Sequence, residues 1–218
     1  MIAPADSQKG SRDTVVNTLE KRGSGQSSTA AYVMDVYFDY ACPFAWAAQV
    51  WLDDVAETLG DTIEVNWRFF PLEQANAEDP DFKVWEQPND GTSSTLRSFQ
   101  AAWAARQQGE EAFRKMHAAL FRKRHVEGRN LAGQKVLEAA AEEAGLDLER
   151  FREDLKSDEV FTEIEKDYTD ARELQVFGTP TIVFDNDEGA YLKLNFKDMP
   201  EDPVEFFEDF VKTVRNRP

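Results

Sequence analysis

The chain is poor in cysteine and histidine and lacks long apolar runs, and each shortage excludes a class of function. Its 218 residues include one cysteine and 2 histidines. A single cysteine excludes an intrachain disulfide, and neither a CxxC pair nor Cys/His zinc spacing occurs. No apolar stretch approaches the roughly 20 residues that span a bilayer, and the N-terminus lacks the layout of a secretory signal. We therefore expect a cytoplasmic protein whose thiol stays reduced.

Positive charge is also scarce. Lysine and arginine number 25 against 42 acidic residues, which gives a formal charge of −17. Nucleic-acid phosphates and anionic membrane surfaces repel such a chain, so we expect neither as a partner. Apolar side chains are abundant, with 41% hydrophobic residues and 12% aromatic residues. This composition is typical of a globular protein with a sizeable core.

The first third of the chain predicts an arm followed by a βαβ unit. Residues 1–29 are polar and rich in glycine and serine, a composition typical of a flexible arm. An apolar run over 32–39 predicts a buried strand, and helical spacing from Pro43 ends at Gly60. Alternation over 63–69 indicates a half-buried strand. This order makes a parallel strand pair with a right-handed crossover.

The rest of the chain predicts helices and then a ββα unit. Apolar residues at helical spacing mark five helices between about 93 and 174. A strand follows over Thr181–Phe184, with a hairpin turn over 185–189. Its partner strand is predicted from the alternating residues Leu192, Leu194 and Phe196. Asp202 should cap a last helix that begins at Pro203.

Cys42 stands where the first predicted strand passes into the first helix. Pro43 suits the first helical position, because its fixed φ matches the helix and its missing N–H has no intrahelical acceptor. A thiol at a helix N-terminus faces unpaired N–H groups and the positive end of the helix dipole, which favours its thiolate. The local sequence therefore predicts a nucleophile or thiol ligand. The alternative is that Cys42 is a small buried hydrophobe.

Other ionisable residues have simpler interpretations. Asp39 either acts as a buried acid near Cys42 or only ends the strand. His117 shares a helical face with apolar residues and is interpreted as a half-buried structural histidine rather than an acid or base. His125 follows the basic cluster 122–124 at a helix end, where a surface position is favoured over catalysis.

Several motifs in this order resemble the thioredoxin fold, and the helices between its halves resemble the DsbA-like branch. The motifs that carry the resemblance are Cys42-Pro43 at a helix start, Trp67-Arg68-Phe69-Phe70-Pro71-Leu72, Gly145-Leu146-Asp147 and Gly178-Thr179-Pro180. The resemblance implies a cis proline at Pro180 facing Cys42, with the main chain of Thr179 available to pair with a bound thiol peptide. It implies a thioredoxin-like domain over 30–75 and 177–217, and a helical insertion over 76–176.

The active-site motif departs from that branch. DsbA-like oxidoreductases carry Cys-X-X-Cys, whereas this chain has Ala45 at the second cysteine position. No thiol within the chain can then release a mixed disulfide from Cys42. The same segment also resembles the Ser-Pro-Tyr-Ala type of motif in 2-hydroxychromene-2-carboxylate isomerases and kappa-class glutathione transferases, in which serine at the Cys42 position supports the thiolate of bound glutathione.

Three functions remain after this comparison. The first is monothiol redox chemistry at Cys42, with a mixed disulfide that an external thiol resolves. The second is thiol-dependent isomerase or transferase chemistry, and the third is a redox-inactive binding module. The first is our prediction, with a small thiol or disulfide as substrate. We expect no tightly bound cofactor and no metal, with glutathione or another low-molecular-weight thiol as co-substrate, and the sequence leaves a homodimer open. The predicted site comprises Cys42, Pro43, Phe44, Ala45, Trp46, Thr179 and Pro180.

Overall fold

The computed structural model describes residues 30–185 and 187–215. The predicted arm, residues 1–29, lies outside the described residues. In chain order the elements are β1 (Tyr32–Phe38), α1 (Pro43–Leu59), β2 (Ile63–Phe69), α2 (Leu72–Ala75), α3 (Ser94–Arg106), α4 (Glu110–His125), α5 (Gln134–Ala144), α6 (Leu148–Asp154), α7 (Glu159–Glu173), β3 (Thr181–Phe184), β4 (Gly189–Tyr191) and α8 (Pro203–Arg215). Short 3₁₀ turns cover Gly60–Thr62 and Val84–Glu86.

The strands form one mixed sheet in the order β2-β1-β3-β4. β1 and β2 are parallel, with Val36 opposite Trp67, and β3 runs antiparallel to β1. The described chain between β2 and β3 is helical, with α2 to α7 in that interval. The predicted thioredoxin fold, with its βαβ and ββα halves, is confirmed.

The prediction for the last strand is wrong. β4 covers Gly189–Tyr191 and ends before Leu192, Leu194 and Phe196. Leu192 N–H donates to the carbonyl of Pro180 at 3.0 Å, and this bond closes the pairing of the hairpin. Pro180 has no N–H with which to continue the ladder. Leu192 and Leu194 are nevertheless buried, so their alternation reflects core packing beyond the strand end.

The two faces of β1 meet different cores. Met34, Val36 and Phe38 point to the large core that includes helices α1, α3, α4 and α8. Tyr37, on the other face, packs in a smaller cluster with residues of α7 and Val183. The Phe38 ring lies 4.7 to 6.1 Å from six other rings, those of Tyr40, Trp67, Phe69, Phe99, His117 and Phe121. The sheet and the helices between its halves therefore share one aromatic core at the end of β1, next to Cys42.

Side chains from the helices cover the open edge of β2. The Asp167 carboxylate on α7 accepts the N–H of Phe69 at 2.9 Å and the Arg68 guanidinium at 3.2 Å. The Arg106 guanidinium on α3 donates to the carbonyl of Trp67 at 2.9 Å. An edge strand with unpaired N–H and C=O groups is a template for association with another chain. These contacts occupy part of that edge.

Local capping explains where several helices begin and end. The Ser93 hydroxyl accepts the N–H of Leu96, and the Asp202 carboxylate accepts N–H groups of the first turn of α8. α5 ends at Gly145, whose φ of 76° lies in the left-handed region that favours glycine. The Asp202 cap of α8 agrees with the sequence prediction.

Candidate functional site

Cys42 occupies the N-cap position of α1 and Pro43 its first turn. The chain reaches this position through a tight turn after β1, in which Cys42 N–H donates to the carbonyl of Asp39 at 3.0 Å. The thiol makes no capping hydrogen bond, and no acidic residue lies in the first turn of the helix. The N–H groups of Phe44 and Ala45 have no intrahelical acceptor, as at every helix start. The sulfur therefore sits next to the positive end of the helix dipole.

The segment before β3 faces this cysteine. The Cys42 thiol donates a hydrogen bond to the carbonyl of Thr179, with 3.2 Å between Sγ and O. The peptide bond between Thr179 and Pro180 is cis. Thr179 is only 3% exposed, and its hydroxyl has no hydrogen-bond partner among the described residues. Two segments 137 positions apart in the sequence thus meet at the sulfur.

The sulfur borders an open cleft. Cys42 is 6% exposed, and it lines a cavity of about 390 Å³ with a mostly apolar wall. We call this cavity the Cys42 cleft; its lining residues are Ala41, Cys42, Pro43, Phe44, Leu72, Phe177, Gly178, Thr179 and Tyr191. Cys42 also belongs to the large buried core, so it lies at the border between the core and the cleft.

The cleft contains only part of the residue set predicted from the sequence. Cys42, Pro43, Phe44 and Thr179 line it, whereas Ala45 is fully buried beneath the helix start. Trp46 and Pro180, which were also predicted, do not line the cleft, because each of them packs elsewhere. The Trp46 ring stacks on His125 at 5.3 Å and contacts Phe196 at 4.0 Å, and Pro180 is buried with its carbonyl paired to Leu192.

The predicted site lacks five residues of the wall: Ala41, Leu72, Phe177, Gly178 and Tyr191. Ala41 precedes Cys42, Leu72 ends one recognised motif, and Phe177 and Gly178 precede the Thr-Pro pair. Proximity to these motifs was therefore an available signal for four of the five. Tyr191 had no local signal, because only the pairing of β4 with β3 brings it to Cys42.

Asp39 holds the cysteine loop in place. One carboxylate oxygen accepts the N–H of Ala41 at 2.8 Å, and the other accepts the N–H of Leu72 at 2.8 Å. Burial raises the pKa of the Asp39 carboxyl from 3.8 to about 6, although the two backbone N–H groups oppose the shift. Both carboxylate oxygens are thus occupied by backbone groups, which favours a positioning role over direct contact with the sulfur.

The two histidines lie closer to the cysteine loop than their sequence context suggests. His117 is 2% exposed rather than half-buried, and its Nδ1 and the hydroxyl of Tyr40 form a hydrogen bond of 2.7 Å. Burial holds the pKa of His117 well below its usual value of 6.5. His125 is half-buried at the end of α4, and its Nε2 donates to the carbonyl of Tyr40 at 2.9 Å, which connects that helix end to the loop before Cys42.

The basic cluster at the end of α4 is largely neutralised. Arg122 pairs with Glu127 and Glu143, and Lys123 pairs with the same two carboxylates. The described residues contain no group of three or more His, Cys, Asp or Glu side chains that could hold a metal ion. Among the same residues, no helix is both long and apolar enough to cross a membrane.

Comparison with known proteins gives one family. The family model of the DSBA-like thioredoxin domain matches residues 33–212. This match begins in β1 and ends in α8, so it contains both halves of the sheet, the Cys42 loop and all the helices between them.

Individual relatives match shorter segments. An uncharacterised protein of Mycobacterium tuberculosis, Rv2286c, is 46% identical over 54 residues, which are 25% of this chain and 23% of that protein. The ClpXP adapter protein SpxH of Bacillus subtilis is 34% identical over 117 residues, 50% of this chain and 38% of SpxH. The chain thus spans well under half the length of these curated relatives. A thioredoxin-like oxidoreductase of Silicibacter pomeroyi has the same fold, with a TM-score of 0.60, 22% identity and coverage of 87% of this chain and 89% of that one.

Proposed function

The chain belongs to the DSBA-like thioredoxin domain family, and from this premise we propose that it catalyses thiol–disulfide exchange through Cys42 alone. The observation that carries the proposal is the position of the sulfur. It lies at the N-terminus of α1, beside the carbonyl of Thr179, and it borders an open apolar cleft. A disulfide in that cleft can approach the sulfur.

The proposed reaction has two exchange steps. The Cys42 thiolate attacks one sulfur of a disulfide R–S–S–R′, the S–S bond breaks, and R′–S⁻ leaves with the electron pair. A mixed disulfide Cys42–S–S–R remains. An external thiolate R″–S⁻ then attacks the R sulfur and releases the Cys42 thiolate together with R–S–S–R″. Oxidation and reduction balance, because one disulfide is consumed and one is formed.

An external thiol is needed because this chain has no second thiol that could resolve the mixed disulfide. The chain contains one cysteine, and Ala45 stands at the position from which a second thiol would attack. We therefore propose a low-molecular-weight thiol such as glutathione as the second reactant, and a small thiol or disulfide as the substrate. A cytoplasmic location, where thiols stay reduced, suits this chemistry. Formation of a homodimer stays a prediction.

Intact-mass spectrometry after incubation with oxidised glutathione tests the proposal. We expect the wild-type protein to gain one glutathionyl group, and reduced glutathione in excess to remove it. Cys42→Ser is the matched control, because the hydroxyl keeps the size of the side chain but cannot form a disulfide. An unmodified wild-type protein at a concentration of oxidised glutathione that modifies a free cysteine peptide would contradict the proposal.

The similarity to SpxH favours a second candidate, a protein-binding module. SpxH is a ClpXP adapter protein and shares 34% identity with this chain over 117 residues. In this alternative Cys42 is not needed for chemistry, and the Cys42 cleft with its apolar wall receives a segment of a protein partner. Capture of the same partner by wild-type protein and by Cys42→Ser, with no glutathione adduct, would support this candidate over the first.

A third candidate is glutathione-dependent transfer or isomerisation of a small electrophile. The apolar cleft of about 390 Å³ beside the sulfur has room for such a molecule. Turnover of 1-chloro-2,4-dinitrobenzene with glutathione by both wild type and Cys42→Ser would favour this candidate, because a serine hydroxyl can support a bound thiolate.

A further inference from the structure

Tyr191 forms part of the wall of the Cys42 cleft. It lies on β4, opposite Thr181 in the antiparallel register with β3. Its ring packs 5.3 Å from the ring of Phe177, and a Cβ atom at Gly178 would lie 3.6 Å from its Cε2 atom. The ring therefore rests against the segment that continues into Thr179, whose carbonyl accepts the thiol. The phenol is fixed relative to the sulfur by sheet pairing and by this contact.

The Tyr191 hydroxyl is an unused donor. Within the described part of the chain it has no hydrogen-bond partner. Burial raises the pKa of Tyr191 above its usual value of 10, and the negative charge of the Cys42 thiolate raises it further. The hydroxyl consequently keeps its proton throughout the neutral range. Tyr191 and Cys42 line the same cleft.

Few groups are placed to stabilise an anion on this sulfur. The carbonyl of Thr179 accepts a bond from the protonated thiol and cannot donate one to the thiolate. Pro43 contributes no N–H, and Ala45 replaces the second thiol of the usual pair. The donors that remain are the free N–H groups of the first helical turn, the unpartnered Thr179 hydroxyl and, across the cleft, the Tyr191 hydroxyl.

We propose that the Tyr191 hydroxyl donates a hydrogen bond to the Cys42 sulfur whenever that sulfur is anionic. In the first exchange step this bond raises the fraction of thiolate. In the second step it stabilises Cys42 as the leaving group, as the S–S electron pair passes to Sγ, and no proton is transferred. The second role rests on the proposed exchange function, whereas the first does not.

The rate of alkylation of Cys42 by iodoacetamide, measured against pH, tests the hydrogen bond directly. In Tyr191→Phe we expect the midpoint of the pH profile to rise by about one pH unit, the size expected for one hydrogen bond to a charged group. On the plateau at high pH the variant should react at the same rate or up to about threefold faster, because a more basic thiolate is a better nucleophile. Loss of packing alone would change the plateau without moving the midpoint.

Tyr168→Phe is the matched control. Tyr168 is also a partly buried tyrosine with a raised pKa, but it packs against Phe70 and Trp85 instead of lining the cleft. Its profile should coincide with that of the wild type. Coincident profiles for Tyr191→Phe and wild type, or an equal rise in Tyr168→Phe, would overturn the inference.

The release of the glutathionyl group by reduced glutathione tests the leaving-group role. It should be severalfold slower in Tyr191→Phe than in wild type, and an unchanged rate would overturn this role. If wild type takes up no glutathione while Tyr191→Phe still shifts the alkylation profile, the hydrogen bond stands and only the exchange function fails. If wild type exchanges glutathione normally and the alkylation profile of Tyr191→Phe coincides with that of wild type, only the inference about Tyr191 fails.

Discussion

The carboxylate of Asp39 accepts a hydrogen bond from the backbone N–H of Leu72, with 2.8 Å between Oδ2 and N. Its other oxygen accepts the N–H of Ala41 at the same distance. Ala41 and Leu72 both line the Cys42 cleft, although 31 positions of sequence separate them. One buried carboxylate thus connects the residue before the cysteine with the residue that begins α2.

The titration of Asp39 predicts a pH dependence of stability. Its pKa is raised from 3.8 to about 6 in the folded protein, so the folded state binds more protons than the unfolded state between these values. The stability contributed by this group is full below about pH 4 and is lost as the pH rises through about 6. We expect the free energy of unfolding of wild type, relative to Asp39→Asn, to fall by on the order of 3 kcal/mol between about pH 4 and pH 7.

Urea denaturation of both proteins across this range measures that difference. Asp167, whose pKa burial also raises to about 6, is present in both proteins, so its contribution cancels in the comparison. A difference that is constant with pH, or that grows towards neutral pH, would show that Asp39 does not titrate in this window.

A second cysteine at position 45 should change the fate of the mixed disulfide. Ala45 occupies the third position of α1, one helical turn from the N-cap Cys42. In Ala45→Cys we expect the new thiol at position 45 to attack the Cys42 sulfur of the mixed disulfide and to release reduced glutathione without added thiol. The intrachain disulfide that remains is two hydrogens lighter than the reduced variant. Wild type and Ala45→Ser should keep the adduct. Intact mass measured against time distinguishes the three proteins. If the adduct on Ala45→Cys lasts as long as that on wild type, position 45 is not the place from which a second thiol reaches Cys42.

The hydrogen bond between Tyr40 and His117 should appear as an energetic coupling. The Tyr40 hydroxyl and Nδ1 of His117 form a hydrogen bond inside an aromatic cluster. Tyr40→Phe leaves that nitrogen buried without a partner, and we expect a cost of about 1–2 kcal/mol in the free energy of unfolding. The double variant Tyr40→Phe/His117→Leu should cost about 1 kcal/mol less than the sum of the single variants. Additive effects in denaturant unfolding would contradict the coupling.

Removal of Asp167 should destabilise the edge of the sheet. In Asp167→Ala the N–H of Phe69 and the guanidinium of Arg68 lose their shared acceptor, and we expect a loss of about 3 kcal/mol together with more aggregation on heating. Asp170→Ala is the control on the same helix, because Asp170 pairs with Lys166 at the surface. The control should change stability by less than about 0.5 kcal/mol. Equal losses in both variants would contradict the role of Asp167.

Local patterns determined most of the element order and the place of the cysteine. Cys42-Pro43 marks the start of α1, Gly60 follows its last residue and Asp202 caps α8. These features depend on side chains within a few residues of one another, where periodicity, capping and the fixed φ of proline act directly. For the same reason the hairpin strand was wrongly extended to Phe196, since the alternation of Leu192 and Leu194 is local but the end of pairing depends on Pro180.

Only the tertiary structure decided what surrounds the sulfur. The pairing of β4 with β3 brings Tyr191 to the cleft, and the buried carboxylate of Asp39 holds Leu72 there. A hydrogen bond from His125 to the carbonyl of Tyr40 holds the loop before Cys42. Each contact joins segments that are tens of residues apart, and its partner is selected by sheet register and core packing. By itself the sequence determined that a thiol opens a helix in a DSBA-like fold. The walls of the cleft and the groups that hold the thiol were decided by how the distant segments pack.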